Sequence, residues 1–166
     1  MAAITNYTDL ISLAQVKEYL RLDDQGTTLD AELTQMINGA CRYVEIYSNH
    51  YLKPTEKEYS YRLCGINIYD FPINSITDPA DAEDYTRRKR NYYETIEITN
   101  LTLAVEDTTV KANIGYTDTE DVDPLLVSAV LEQIRQWFYN AEGSLTVGSM
   151  NPNVKQMLDP IKRFIV

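Results

Sequence analysis

The sequence predicts an α+β fold in which helices predominate, with two helices near the N-terminus, one or two near the C-terminus, and a small central antiparallel sheet. Two periodicities predict it. Apolar residues recur at three- and four-residue spacing in both outer thirds of the chain, as in helices, and at alternate positions in the middle, as in strands. The chain has 166 residues, of which 44% are hydrophobic, enough to fill one core. We therefore expect a single domain over residues 1–166, made of three to four helices and the sheet.

Capping signals and an apolar stripe mark the two N-terminal helices. Ser12 followed by Gln15 is a capping box, in which each side chain accepts a hydrogen bond from the backbone N–H of the other. It predicts the start of a short first helix. The second helix is predicted to begin at Thr28 or Asp30 and to keep one apolar face as far as about His50.

Alternation of apolar and polar residues predicts strands in the middle of the chain. The alternating segments are residues 59–63, 66–73, 96–105 and 110–116, with a hairpin turn expected at residues 106–109. Pairing of these short strands would give one small antiparallel sheet.

The C-terminal third contains signals for two more helices. Pro124 predicts the start of the third helix, because a proline at the first helical position sacrifices no hydrogen bond. Trp137 and Phe138 belong to the apolar stripe of this helix, and Gly143 is expected to end it. A last short helix is predicted from Pro152.

Residues 78–93 lack an apolar period and are predicted to form a long charged loop. The acidic residues Asp81, Glu83 and Asp84 precede the basic residues Arg87, Arg88 and Arg90. The two halves could pair between neighbouring copies or within one copy. Because tyrosines flank the basic run, a nucleic-acid contact is a third reading. We expect the loop to be mobile in the isolated chain, and reversal of its arginines to change stability by less than about 0.5 kcal/mol, as at surface sites.

The composition and the charge of the chain argue against several classes of function. The formal net charge of -10 and the pI of about 4.5 oppose binding to a phosphate backbone, which draws its affinity from clustered Lys and Arg. No apolar run is long enough to cross a bilayer, and the first residues lack a basic region followed by an apolar core. We expect a protein made and used in a cytosol, without contact to a membrane.

No catalytic or metal-binding motif is recognisable in the sequence. The single histidine, His50, is read as a cation at the end of the second helix, and Cys41 and Cys64 as two reduced core thiols. The acidic residues between 118 and 123 could ring a calcium ion or form the solvated start of the third helix, and the second reading is favoured. The sequence thus predicts neither an enzyme nor a cofactor.

Three stretches in a fixed order resemble the head-to-tail connector (adaptor, head-completion) family of tailed bacteriophages. They are residues 11–23 (ISLAQVKEYLRLD), 71–76 (FPINSI) and 152–160 (PNVKQMLDP), and the first is followed by a long helix ending in YVEIY at 43–47. Residues 110–116 and the connection to Pro124 are similar to the last strand and third helix of that family. The resemblance spans nearly the whole chain.

The resemblance implies a structural protein of the virion, assembled in the cytoplasm of a bacterial host and located at the head–tail junction. Such proteins form a ring, usually of twelve copies, between the portal protein and a stopper or tail-completion protein. DNA passes through the channel without specific binding. The alternative from a different class is a small nucleic-acid-binding or regulatory module that uses residues 87–90.

Residues 152–166 are the portal-docking candidate by this resemblance. The candidate contacts are Lys155, Leu158, Lys162, Arg163, Phe164, Ile165 and Val166. The competing reading is that this last helix simply packs on the third helix. Within the ring, the charged residues of the loop at 78–93 are the candidates for pairing between subunits.

Overall fold

The computed structural model describes residues 3–22, 26–60, 66–78, 85–89, 93–98, 109–140 and 151–162. The described chain divides into two compact units, and the expectation of a single domain stays a prediction. A helical unit contains the described residues of 3–48 and 116–162, and a β unit contains those of 49–115. The α+β fold class is confirmed.

The helical unit contains five helices among the described residues. They are α1 (Tyr7–Leu10), α2 (Leu13–Leu20), α3 (Asp30–Ser48), α4 (Pro124–Asn140) and α5 (Pro152–Leu158), with a short 3-10 turn at Thr119–Asp121 before α4. The predicted capping box is confirmed: Ser12 Oγ accepts from Gln15 N at 3.2 Å, and Ser12 N donates to Gln15 Oε1 at 2.8 Å. Helix α1 was not predicted, because its four residues are too few to show an apolar period.

The two long helices pack together over a stripe of fully buried residues. Leu33, Ile37 and Val44 of α3 and Leu126, Val130 and Ile134 of α4 have no exposed surface. Gly39 allows a close approach of the helices, because a Cβ there would lie 3.2 Å from the ring of Trp137. The Trp137 ring meets Tyr43 edge-on, with 6.0 Å between ring centroids. Cys41 is a buried free thiol, as expected, whereas Cys64 lies outside the described residues.

The β unit contains two three-stranded antiparallel sheets rather than the single sheet predicted. The strands are β1 (Thr55–Ser60), β2 (Ile66–Ile68), β3 (Ile73–Asp78), β4 (Tyr85–Lys89), β5 (Glu94–Ile98) and β6 (Thr109–Ile114). Sheet 1 has the order β1-β6-β3, and sheet 2 has the order β2-β5-β4. The strand predicted within residues 101–105 lies outside the described residues.

The inner faces of the two sheets share one core. Ile68 and Ile96 of sheet 2 pack with the buried residues of sheet 1, which are Ile73, Ile76, Val110, Ala112 and Ile114. Tyr59 and Tyr85 pack against the edges of this cluster. Since the core lies between the sheets, their outward faces are on opposite sides of the β unit.

Strands β3 and β4 were missed from the sequence for two different reasons. Strand β3 has two register shifts, at Ile73/Ser75 and Ile76/Asp78, so its buried residues are three apart and break the period of two. Strand β4 lies inside the segment predicted to be a loop, which is therefore wrong for residues 85–89. Its alternation is hidden because one of its inward residues, Arg87, is charged.

Candidate functional site

Helix α5, the start of the predicted docking segment, is held on α4 by its N-cap. Asn151 accepts from Asn153 N at 2.8 Å, and its own backbone N–H donates to Gln133 Oε1 at 3.2 Å. The Asn151 amide also donates to Glu132 Oε1 at 3.3 Å. Gln133 is fully buried on α4. These bonds fix where α5 begins.

The docking candidates on α5 and after it occupy three different environments. Lys155 is exposed, whereas Leu158 is fully buried and therefore packs in the helical unit instead of facing a partner. Lys162 lies over the ring of Tyr47, with 4.0 Å from Nζ to the centroid. The Tyr47 hydroxyl donates to Asp159 Oδ1 at 2.6 Å, and this bond raises the pKa of Tyr47. The other docking candidates, residues 163–166, lie outside the described residues.

These positions agree with the competing reading, in which the last helix packs on the third. Helix α5 contacts both α4 and α3, and Val154 and Leu158 are its buried residues. Of the described docking candidates, Lys155 alone is exposed. It is the described residue of that set best placed to meet a partner.

A tyrosine and arginine surface on α2 and α4 was not recognised in the sequence. Tyr19 is 42% exposed and donates its hydroxyl to Glu132 at 3.1 Å, while Tyr139 is 60% exposed and donates to the carbonyl of Leu20 at 2.8 Å. Arg135 donates to both oxygens of Glu132 at 2.8 Å, and this bonding holds the pKa of Glu132 below its usual value. The hydroxyl bonds fix the exposed rings. Tyr and Arg are enriched at protein interfaces.

A buried carboxylate ties α1 to α3. Glu45 is almost completely buried and accepts from the Tyr7 hydroxyl at 2.8 Å and from Arg42 at 3.2 Å. Burial, together with the charge of Glu45, raises the pKa of Tyr7. The neutral hydroxyl therefore persists as a donor, and the cluster is structural.

Arg87, a predicted contact between subunits, has its partners inside its own chain. Its guanidinium donates to both carboxylate oxygens of Glu94 on β5 and to the carbonyl of Ile73 on β3 at 2.6 Å. Glu94 is only 3% exposed. Arg87 thereby joins sheet 2 to sheet 1. Its side chain is 25% exposed, so Arg87 is partly buried, and the basic run available for a nucleic-acid contact is reduced. Pairing of Arg87 between subunits stays a prediction.

Arg88 does lie on the surface of the β unit. Its side chain is 56% exposed and lies 3.2 Å from Glu97 of the neighbouring strand. Asp81, Glu83, Asp84 and Arg90, the other residues proposed to pair between subunits, lie outside the described residues.

The outward faces of the two sheets differ in charge. Sheet 1 carries Glu56, Glu58 and Asp78 around Lys111, whose Nζ lies 3.3 Å from Glu58, and we call this the acidic face. The hydrogen bond from Lys111 to Glu58 raises the pKa of Lys111, and the charges of Asp78 and Glu56 add to the effect. On sheet 2 the outward residue Arg88 is opposed by Glu97, whereas Lys89, the next residue of β4, lies on the other side of the strand and pairs with Glu94 in the register.

A second polar cluster lies between β1 and the segment before β3. Lys57 donates to Asp70 at 2.7 Å and to the Tyr51 hydroxyl at 2.9 Å, and Tyr59 donates to Asp70 at 2.6 Å. Burial alone would lower the pKa of Lys57, but the bonds to Asp70 and Tyr51 outweigh it and raise the value. These groups satisfy one another, as a packing cluster does.

The described residues that were considered for catalysis or metal binding take part in helix capping and core packing. Asp123 Oδ1 accepts from Leu125 N at 2.9 Å and so caps α4, in agreement with the helix-start reading of the acidic segment. His50 is buried, with 5.1 Å between its ring centroid and that of Phe71. Within the described ranges, no three His, Cys, Asp or Glu side chains form a group that could hold a metal ion. Nor does that part of the chain contain a helix both long and apolar enough to cross a membrane.

Solved structures with a similar fold exist. Three of the chains that match this one do so over 99% of its residues and over 95% of their own. The chain shares its fold with chains of gene transfer agent particles. The structures are the virion of the native particle (TM-score 0.71, 15% identity), the neck of the empty particle computed with C6 symmetry (0.69, 14%) and the neck of the native particle computed with C12 symmetry (0.72, 13%). No family model and no curated protein matches the chain.

Proposed function

We propose that this protein is a structural component of a particle neck, where copies of the chain form a ring at the head–tail junction. The observation that carries the proposal is the likeness over 99% of this chain to a chain from a neck computed with C12 symmetry. The order of the sequence stretches that resemble head-to-tail connectors supports the same role independently of the likeness in fold. In this proposed role the protein has no catalytic activity and is part of the virion.

The finer role is that of an adaptor between a portal protein and a stopper or tail-completion protein, with DNA passing through the ring. The net charge of -10 per copy supports a conduit, because a wall of like charge repels the DNA backbone. The engagement of Arg87 by Glu94 supports it as well, since that arginine is not available to a phosphate. Assembly would take place in the cytoplasm of the bacterial host.

Electron microscopy tests the proposed function directly. We expect the purified chain, mixed with the portal protein of the same particle, to give end-on views of closed rings with twelvefold symmetry. Portal protein alone is the control, because portal rings must be distinguished from the added layer. The chain is added in large molar excess over the portal protein. If the portal rings gain no additional layer of this chain under that condition, the proposal is contradicted.

Lys155 provides a test of docking through the C-terminal segment. We expect Lys155→Glu to lower portal co-purification by about tenfold while the melting temperature stays unchanged, because an exposed charge affects a partner more than the fold. Gln156→Glu is the matched control, since Gln156 is exposed on the same helix and also becomes acidic. Equal retention of both variants on immobilised portal would show that this surface of α5 is not the docking site.

A further inference from the structure

The stretch of chain that follows α5 is fastened to α3 by one tyrosine. The Tyr47 hydroxyl donates to Asp159 Oδ1 at 2.6 Å, and Lys162 Nζ lies 4.0 Å from the centroid of the Tyr47 ring. Asp159 is the C-cap of α5, and Lys162 follows it in the chain. One side chain of α3 thus holds two side chains of the C-terminal stretch, and we call Tyr47, Asp159 and Lys162 the clasp.

Backbone hydrogen bonds order the same stretch. The N–H groups of Ile161 and Lys162 both donate to the carbonyl of Leu158, at 3.0 and 2.8 Å. The side chain of Leu158 is fully buried, so this turn is anchored in the core of the helical unit. The turn is therefore held twice, by its own backbone and by the side chain of Tyr47.

Helix α5 is held at its other end as well. It has seven residues, too few for a helix that is stable by itself in water. Its N-cap, Asn151, bonds to Glu132 and Gln133 of α4. Attachment at both ends gives fixed positions to the exposed residues of α5, among them Lys155.

We propose that Tyr47 is a positioning residue for docking to the portal protein, because the clasp orders the end of α5 before the partner arrives. The inference rests on the proposed function, and it deepens that function by naming the group that prepares the docking segment. Tyr47 acts through Asp159 and Lys162 and not through contact with the partner. Residues 163–166 follow Lys162 directly in the sequence, so a fixed Lys162 fixes the point from which they start.

Order that exists before binding increases affinity. A partner that must immobilise side chains and backbone loses binding free energy to that ordering, whereas a segment already in place spares the loss. Bonds between partly exposed groups add little to global stability. Removal of the clasp should therefore weaken docking more than it destabilises the fold. A merely structural Tyr47 would give the opposite result, a lower melting temperature with unchanged affinity for the portal.

Affinity for immobilised portal protein tests the inference. We expect Tyr47→Leu, which removes the hydroxyl and the ring, to raise the Kd about tenfold, the effect of freeing one or two side chains. Tyr47→Phe keeps the ring under Lys162 and should raise the Kd only about threefold. Ile46→Ala is the matched control, because Ile46 is the preceding residue of α3 and is 65% exposed. Its Kd should stay within about twofold of the wild-type value.

A double-substitution cycle isolates the bond between Tyr47 and Asp159. Asp159→Ala should weaken docking about as much as Tyr47→Phe, because each removes the same hydrogen bond. The variant with both substitutions should bind no more weakly than either single variant. Effects that add would show that the two residues act separately and would contradict the clasp.

Amide hydrogen exchange in the free chain reports the order of the turn itself. We expect the N–H groups of Ile161 and Lys162 to exchange about tenfold faster in Tyr47→Leu than in the wild type. Circular dichroism and melting temperature verify that the variants fold. Wild-type portal affinity in Tyr47→Leu, an equal loss in Ile46→Ala, or unchanged exchange at both amides would overturn the inference.

The outcomes separate this inference from the proposed function. Failure of the wild type to bind portal protein would contradict the proposed function, and the inference with it. If Lys155→Glu loses binding while Tyr47→Leu binds as the wild type does, docking through α5 stands and the clasp has no part in it. If both variants bind as tightly as the wild type, the portal is bound elsewhere and the inference is wrong.

Discussion

Replacement of Arg87 by alanine should destabilise the protein by about 3–5 kcal/mol, the usual cost of leaving one partner of a buried ion pair without the other. Glu94, which is only 3% exposed in the wild type, would lose both of its guanidinium bonds. The carbonyl of Ile73 would lose its donor at the same time. Urea unfolding followed by circular dichroism gives the change in free energy of unfolding.

Arg88→Ala is the matched control, one residue along the same strand. Its guanidinium is paired on the surface with Glu97, so we expect a change within about 0.5 kcal/mol. Arg87→Lys should remain well below wild type, because an ammonium group cannot reproduce the two-pronged bonding of a guanidinium. Equal effects of Arg87→Ala and Arg88→Ala would show that the bond to Glu94 does not hold the sheets together.

Gly115→Ala should be the most damaging glycine substitution in the described chain, with a loss of more than about 3 kcal/mol. The backbone of Gly115 has φ of 105°, a conformation that residues with a side chain rarely adopt. A Cβ there would also lie 2.6 Å from the carbonyl carbon of Lys53, closer still to its oxygen, and both belong to the backbone. Thermal unfolding of the purified variant, or its failure to accumulate in soluble form, provides the measurement.

Gly26→Ala separates the two causes. Gly26 also has a positive φ, 56°, but a Cβ there would meet no atom within 4 Å. The expected cost is about 1 kcal/mol, the strain of a left-handed residue alone. If both alanine variants lose the same stability, the overlap with Lys53 is relieved by movement of the backbone and the argument from close approach fails.

Local signals in the sequence were sufficient for most of the helices. The capping box at Ser12, the proline at the start of α4 and the apolar stripe of α3 each involve residues within a few positions of one another. The period of a helix can be recognised directly from such local spacings. The α+β class followed from these helices and from the alternation in β6, while the strand predicted at residues 59–63 overlaps β1 only at its last two residues.

The candidate surfaces depended on pairings that spacing does not reveal. Arg87 and Glu94 meet because β4 and β5 are adjacent, and β4 was not recognised as a strand among so many charges. Tyr19 and Glu132 are brought together by the packing of α2 on α4. The acidic face requires the register of three strands, one of them bulged. Tertiary structure determines which of these residues come into contact, so the sequence pattern alone could not predict the contacts.

The helical unit is assembled from both ends of the chain, and this affects the order in which a ribosome can deliver it. Helix α3 ends at Ser48 and α4 begins at Pro124, so residues 49–123 are synthesised between the two partners. During that interval the apolar face of α3, with Leu33, Ile37 and Val44, has no α4 to cover it. The described strands of the β unit all lie between these helices in the sequence, so this unit can form before α4 emerges. Nascent chains that end before α4 therefore expose the apolar face of α3, and exposed apolar surface of this kind is what chaperones bind.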